Sequence, residues 1–102
     1  MKEVKFYKLE NDKEPVKEWL LSLDLSTRVK IIKILERIYD DNFGDCKQIA
    51  PNLYELRFFF GSGYRIYYTI HGNTVVILLN AGDKSEQKKD IEIAKRYLNN
   101  IR

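Results

Sequence analysis

Three strand-like segments that follow one another between Leu53 and Asn80 constrain the fold of this chain most. In the first segment every second side chain is apolar: Tyr54, Leu56, Phe58 and Phe60. Alternation with a period of two is typical of a β-strand that buries one face. The third segment, "TVVILLN", is apolar on both faces, which indicates a strand covered on both sides. Glycine-containing turns separate the segments and predict antiparallel pairing.

The sequence on either side of these segments predicts one further strand and three helices. Residues 3–9 are the expected short strand, and a helix begins near Pro15, because proline suits the first helical position. A second helix begins near Ser26 as its N-cap and ends at Gly44. Its expected buried stripe is Leu25, Val29, Ile32, Leu35 and Tyr39, widened by Ile31 and Ile38. A last helix begins near Ser85, with Ile91, Ala94, Leu98 and Ile101 on its packed face.

The predicted order of elements is therefore β-α-α-β-β-β-α. We expect an α+β fold in which two N-terminal helices pack on a small antiparallel sheet, followed by a C-terminal helix. The length of 102 residues suits one domain, spanning residues 1–102.

The amino-acid composition predicts the class of protein and its cellular location. Hydrophobic residues make up 44% and charged residues 32%, as in ordinary globular domains. No apolar run approaches the length of a membrane span, so we expect no membrane association. The single cysteine, Cys46, excludes an internal disulfide and a cysteine-based zinc site, which favours a reducing, cytoplasmic location. A formal net charge of +3 permits an anionic partner without requiring one.

Two arginines interrupt the strand-like sequence. If "GSG" (Gly61–Gly63) is a three-residue hairpin loop, Phe60 pairs with Tyr64. Arg57 and Arg65 then become diagonal neighbours on one face of the sheet. The next hairpin, with a two-residue turn at "GN", sets Asn80 beside Arg65, and the chain leaves the sheet so that Lys84 arrives at the same strand end.

Two interpretations of this face remain open. In one, the arginines lie on an ordinary solvent-exposed face of the sheet, where Glu55 pairs with Arg57. In the other, they form an anion-binding site. Arginine presents a rigid fork that matches phosphate oxygens, and the ring of Tyr67 is a candidate for stacking on an unpaired base or for packing against its neighbours. Lys88 on the last helix lies either on a solvated face or in contact with RNA.

The residues "YELRFFFGSGYRIYY" followed by "LLNAGDKSEQKKDIEIAKRYL" resemble the RelE/ParE toxin superfamily, and most closely its HigB-like branch of addiction-module killer proteins. The resemblance covers essentially the whole chain. It implies the toxin of a type II toxin–antitoxin system, with a ribosome-dependent, metal-independent endoribonuclease activity on messenger RNA and no cofactor. Its implied partners are the ribosome with its messenger RNA and a cognate antitoxin, commonly a helix-turn-helix, HigA-like protein. By position, Arg57 and Arg65 match basic residues that contact RNA near the cut, and Lys84 matches a basic residue of the loop before the last helix.

The chain offers few acid–base groups for such a reaction. Its only histidine, His71, lies in a turn far from Arg57, so a pair of histidines is excluded. Glu55 is a possible proton acceptor, and Lys84 a group that approaches the departing oxygen. Tyr67, Asn80 and Lys88 are expected RNA contacts. Two other functions remain open: a ParE-like inhibitor of DNA gyrase, and a non-catalytic module that binds RNA or ribosomes.

Overall fold

A computed structural model describes residues 1–101, which form an α+β fold of the predicted class. The strands are β1 (Glu3–Phe6), β2 (Cys46–Ala50), β3 (Leu53–Arg57), β4 (Arg65–His71) and β5 (Val75–Gly82). The helices are α1 (Pro15–Ser22), α2 (Leu25–Glu36) and α3 (Gln87–Ile101), and 3₁₀ turns span Arg37–Asp40 and Lys84–Glu86.

The sheet differs from the predicted one in two details. It has five strands in the order β1-β5-β4-β3-β2, and β1 pairs with β5 in parallel, so the sheet is mixed rather than purely antiparallel. The additional strand is β2, an edge strand paired only with β3. Its first three residues, Cys46, Lys47 and Gln48, are all exposed, and it therefore lacks the alternation that marks a half-buried strand.

Helices cover both faces of the sheet. On one face α1 and α2 bury a core that includes Val16, Leu56 and Ile66. On the other face α3 packs Ala94 and Leu98 against a second core. Strand β5 contributes to both cores, as its uniformly apolar sequence predicts, and the predicted packed stripe of α3 is likewise confirmed. The alternating faces of β3 and β4 are also as predicted.

The buried face of α2 differs from the predicted stripe. Ile31, Leu35 and Ile38 are buried against the sheet. Of the expected stripe, the following four side chains are exposed: Leu25, Val29, Ile32 and Tyr39. Both rows have the helical spacing of three to four residues, because α2 is apolar around much of its circumference. Only its contact with the sheet selects the buried row.

The ends of α2 also lie elsewhere than predicted. Asp24, not Ser26, is the N-cap, since its side chain accepts a hydrogen bond from the backbone N–H of Thr27 at 3.1 Å. After the 3₁₀ turn the chain reverses at Asp41, which has a left-handed backbone with φ of 63°. Gly44 follows in the connection to β2 and ends no helix.

The register between β3 and β4 is offset by two residues from the predicted one. Arg57 pairs with Arg65, and the N–H of Phe58 donates to the C=O of Tyr64 at 3.0 Å. Phe60, the predicted partner of Tyr64, instead lies within the connecting loop and packs against the helix-covered core. Because the offset is an even number, every strand side chain keeps its predicted face.

The register between β4 and β5 also departs from the predicted one. The connection has three residues, Gly72–Thr74, where the sequence predicts a two-residue turn. A bulge in the pairing then places Asn80 opposite Tyr67, so the prediction that Asn80 lies beside Arg65 is wrong. Gly82 occupies the position opposite Arg65.

Within the described range, residues 1–101, none of the helices has the length and apolar character that crossing a membrane requires.

Candidate anion-binding site

Two arginines face each other at one end of the sheet. Arg57 ends β3 and Arg65 begins β4, and the two residues are directly paired across the strands. The side chain of Arg57 is 34% exposed and that of Arg65 only 14%. Like charges in opposite positions repel, and partial burial strengthens that repulsion. The arrangement is stable only if anionic groups compensate the two guanidinium charges.

The carboxylate of Glu55 supplies one compensating charge. It is 1% exposed, with Oε2 3.7 Å from Nε of Arg65 and Oε1 4.0 Å from Nε of Arg57. Gln87, the first residue of α3, donates a hydrogen bond from Nε2 to Oε2 of Glu55 at 2.8 Å. A buried carboxylate requires such partners. Its position behind the guanidinium groups favours a role as partner of the arginines over contact with a substrate.

Asp45 supplies the second compensating charge. Its Oδ1 accepts a hydrogen bond from Nη2 of Arg57 at 3.2 Å, and its Oδ2 lies 3.1 Å from Nε of the same residue. The backbone N–H of Arg57 also donates to the C=O of Asp45 at 2.9 Å. A carboxylate that meets two nitrogens of one guanidinium fixes its orientation. Arg57 is therefore held by the residue that precedes β2 as well as by Glu55 on its own strand.

A cavity of about 460 Å³ opens in front of the arginines. It is lined by Arg57, Phe58, Phe59, Gly61, Ser62, Gly63, Arg65 and Lys84. Nη1 of Arg65 donates to the C=O of Gly63 at 2.7 Å. Gly63 has φ of +76°, and a Cβ there would lie 3.2 Å from Cβ of Lys84 and 3.3 Å from Nη1 of Arg65. Glycine therefore suits the left-handed backbone and leaves room for the side chains of Arg65 and Lys84 beside it.

Asp83 ties the cavity loop to the start of the last helix. Its Oδ2 accepts a hydrogen bond from the hydroxyl of Ser62 at 3.2 Å, and its Oδ1 accepts one from the N–H of Ser85 at 2.9 Å. Hydrogen bonds, foremost from the Ser85 side chain, hold the pKa of Asp83 below its ordinary value of 3.8. The N–H of Lys84 points to the C=O of Ser62 at the long distance of 3.4 Å. The loop thus sets the position of Lys84 at the cavity rim.

The charges of this site nearly cancel. The three cations, Arg57, Arg65 and Lys84, stand beside three carboxylates. These belong to Asp45, Glu55 and Asp83. An anion in the cavity would therefore be held by N–H donors in fixed directions, more than by net positive charge.

The remaining sequence-predicted residues lie away from the cavity. Tyr67 is fully buried beneath α3, so the prediction of a ring on an open face, free to stack on a base, is wrong. Burial, first of all, raises the pKa of its phenol above 10. Asn80 is buried, and its amide donates to the C=O of Asp90 at 3.1 Å. Lys88 is exposed on α3. His71 is the last residue of β4, paired with Val75, and does not lie in the turn as predicted, although it is at the strand end far from Arg57, as expected.

A larger cavity of about 970 Å³ lies on the opposite side of the sheet, between β1 and the α1–α2 pair. Its lining includes Phe6, Leu20, Ile32 and Leu35. Its lining is mostly apolar, and its three cations, Lys2, Lys17 and Arg28, already pair with Asp41, Glu14 and backbone C=O groups of the chain. We therefore place the candidate chemistry at the smaller cavity. Across residues 1–101, no group of three or more His, Cys, Asp or Glu side chains is arranged to hold a metal ion.

Three residues of the site escaped prediction from the sequence. Asp45 lies in a connection with no periodicity, and Gln87 reaches Glu55 from 32 residues away along the chain. Phe59 was not singled out, although alternation was the available signal, because it predicts which of three adjacent rings points away from the core.

The architecture is consistent with the RelE-like class of α+β proteins: helices on a mixed five-stranded sheet, with a C-terminal helix. The chain belongs to the family described as phage-derived protein Gp49-like (DUF891), whose model matches residues 18–99. A relative from Haemophilus influenzae (strain Rd), described as an uncharacterized protein, is 44% identical over 78 residues. That match covers 76% of this chain and 79% of the relative. The residues of the candidate site all fall within the range matched by the family model.

Proposed function

We propose that this protein is the toxin of a type II toxin–antitoxin system, of the HigB-like branch, and that it cuts messenger RNA on the ribosome without a metal ion. The observation that carries the proposal is the direct pairing of Arg57 with Arg65 beside a cavity that Lys84 borders. The RelE-like architecture and membership of the phage-derived Gp49-like family support it. The proposal assigns the catalytic role to these three cations.

The chemistry requires positioning, stabilisation of charge and two proton transfers. The 2′-oxygen of a ribose attacks the adjacent phosphorus, and the bond from phosphorus to the 5′-oxygen breaks. The 2′-hydroxyl loses its proton to an acceptor, and the 5′-oxygen gains one. Arg57 and Arg65 would clamp the phosphate and stabilise the charge that develops on it, and Lys84 would approach the leaving 5′-oxygen. Arginine keeps its own proton, so neither arginine serves as the acceptor.

Dependence on the ribosome follows from the near balance of charges. A site whose three cations stand beside three carboxylates attracts free RNA only weakly, because non-specific binding to nucleic acid depends on uncompensated positive charge. The ribosome would supply the substrate in a fixed position and so remove much of the entropic cost of alignment. We therefore expect the protein to cut free RNA much more slowly than messenger RNA on the ribosome.

The proposed partner in the resting cell is a cognate antitoxin, a helix-turn-helix protein of the HigA-like kind. An unopposed toxin would stop growth, so its gene needs a neutralising neighbour. Expression of a small helix-turn-helix gene that neighbours this one should relieve growth arrest. The product of that gene should co-purify with this protein. Failure of every neighbouring gene product to relieve arrest would contradict this part of the proposal.

The test of the activity is sequencing of messenger 5′ ends after induced expression. Wild-type protein should produce new ends within translated regions, and Arg57→Ala and Arg65→Ala should abolish them. Arg37→Ala is the matched control, since Arg37 is an exposed arginine on the 3₁₀ turn after α2 and does not line the cavity. Growth arrest that survives both site variants, together with lost supercoiling activity of gyrase, would replace the proposal with the ParE-like alternative.

A further inference from the structure

We infer that Phe59 is a stacking platform for an unpaired base of the RNA, beside the arginines that hold the phosphate. This inference rests on the proposed function and adds a substrate contact to it. Phe59 is 83% exposed, which makes it the most exposed large apolar side chain among residues 1–101. Single exposed apolar residues are common on protein surfaces, so exposure alone carries nothing. The surroundings of the ring carry the inference.

The direction of the Phe59 side chain is fixed by its neighbours. Phe58 is 3% exposed and belongs to the core under α1 and α2, and Phe60 packs against the same core. Their rings lie 5.9 Å apart, centroid to centroid. With both neighbours anchored on one side, the ring of Phe59 is turned to the other, which is the side of Arg57.

Phe59 lines the same cavity as the three cations. Two aromatic rings contribute to that cavity, and since Phe58 is buried, Phe59 is the one with a free face. Proteins that bind single-stranded nucleic acid combine cations along the backbone with aromatic rings on which bases stack. This cavity holds both components within one loop and one strand end. Tyr67, whose ring is buried, has no face to offer in its place.

The loop that carries Phe59 is held at both ends. The N–H of Phe58 bonds to the C=O of Tyr64, and the hydroxyl of Ser62 bonds to Asp83. An aromatic ring on an anchored loop loses little conformational freedom when a base stacks on it. The backbone of Phe59 is therefore held beside the cavity before the RNA arrives.

The experiment measures binding of a short single-stranded RNA that carries the fluorescent base 2-aminopurine at its centre. A second RNA of the same length has an abasic ribose at that position and thus keeps every phosphate. We expect the wild-type protein to bind the base-bearing RNA about tenfold more tightly than the abasic one, with a change in fluorescence on stacking. Phe59→Tyr should keep this preference, whereas Phe59→Leu should bind the two RNAs equally. Leu25→Ala, which removes an exposed apolar side chain on α2, should behave as the wild type.

Three results would overturn the inference. The first is a Phe59→Leu protein that still prefers the base-bearing RNA; the second is a wild-type protein that binds the two RNAs equally at protein concentrations high enough to form a weak complex. Loss of antitoxin binding in Phe59→Leu, with the RNA preference unchanged, would also overturn it and assign the ring to a protein contact. The proposed function is judged separately, by the messenger ends and the Arg65→Ala variant, so the two failures are distinguishable.

Discussion

Gln87, at the start of α3, donates a 2.8 Å hydrogen bond to the buried carboxylate of Glu55 on β3. The same carboxylate lies within 4.0 Å of the guanidinium groups of Arg57 and Arg65. The helix that covers the sheet therefore also fixes the group that holds both arginines. Packing and the candidate site are coupled through this one hydrogen bond.

Glu55→Gln should destabilise the protein and abolish messenger cleavage. The substitution keeps the shape of the side chain but leaves two opposed arginine charges with one carboxylate fewer, which costs about 3 kcal/mol. Urea unfolding at neutral pH measures this change in the free energy of unfolding. Glu92→Gln is the control, because Glu92 forms an exposed ion pair with Lys95 and its loss should cost less than about 1 kcal/mol. Equal, small losses in the two variants would contradict the prediction.

Gly63→Ala should damage the site beyond its effect on stability. A left-handed backbone at alanine costs about 1 kcal/mol, and the new methyl group would press on Arg65 and Lys84. Gly72→Ala provides a matched control, since Gly72 also has a left-handed backbone, with φ of +61°, but has nothing within 4 Å of the added Cβ. Both variants should lose similar stability in thermal unfolding, while only Gly63→Ala loses messenger cleavage. A parallel loss of cleavage in both variants would argue against close packing at Gly63.

Tyr67→Phe should stabilise the protein. The hydroxyl of Tyr67 is buried and has no hydrogen-bond partner among residues 1–101, and a buried hydroxyl without a partner is unfavourable. Its removal should raise the free energy of unfolding by about 1 kcal/mol and leave messenger cleavage unchanged. Tyr39→Phe, at an exposed position, should change stability by less than about 0.5 kcal/mol. A destabilised Tyr67→Phe protein would show that the hydroxyl has a partner in solution.

Stability should fall in alkaline solution. Burial, the largest cause, raises the pKa values of Tyr67 and Tyr68 above the ordinary 10. The unfolded chain releases these protons near pH 10 while the folded protein retains them, so their contribution is full below pH 10 and declines above it. Each tyrosine removes up to about 1.4 kcal/mol per pH unit in that range. Denaturant unfolding from about pH 9 to about pH 11 should therefore give a shallower decline for Tyr67→Phe, and identical slopes would refute the assignment.

Local patterns predicted the elements and the faces of the strands. Leu56 and Phe58 face α1 and α2, while Glu55 and Arg57 face the other side, as alternation requires. These predictions succeeded because side-chain direction in a strand depends only on position along the chain. The edge strand β2 was not predicted, because its exposed residues show no alternation of apolar and polar side chains.

Contacts between distant segments determined the strand register and the buried row of α2, which sequence periodicity does not specify. The two arginines were expected as diagonal neighbours but are directly opposed, because Phe60 leaves the strand to pack in the core and lengthens the loop. The buried row of α2 was likewise set by the sheet, since two apolar rows of equal spacing compete.

The sequence by itself determined the α+β class, the contribution of β5 to the cores on both faces and the presence of Arg57 and Arg65 on one face. Periodicity suffices for these because they follow from backbone geometry. Only the tertiary structure decided the register, the burial of Tyr67 under α3 and the Asp45–Arg57 and Gln87–Glu55 contacts. Those features depend on which segments meet, and the free energy that selects them comes from burial and charge compensation shared among distant residues.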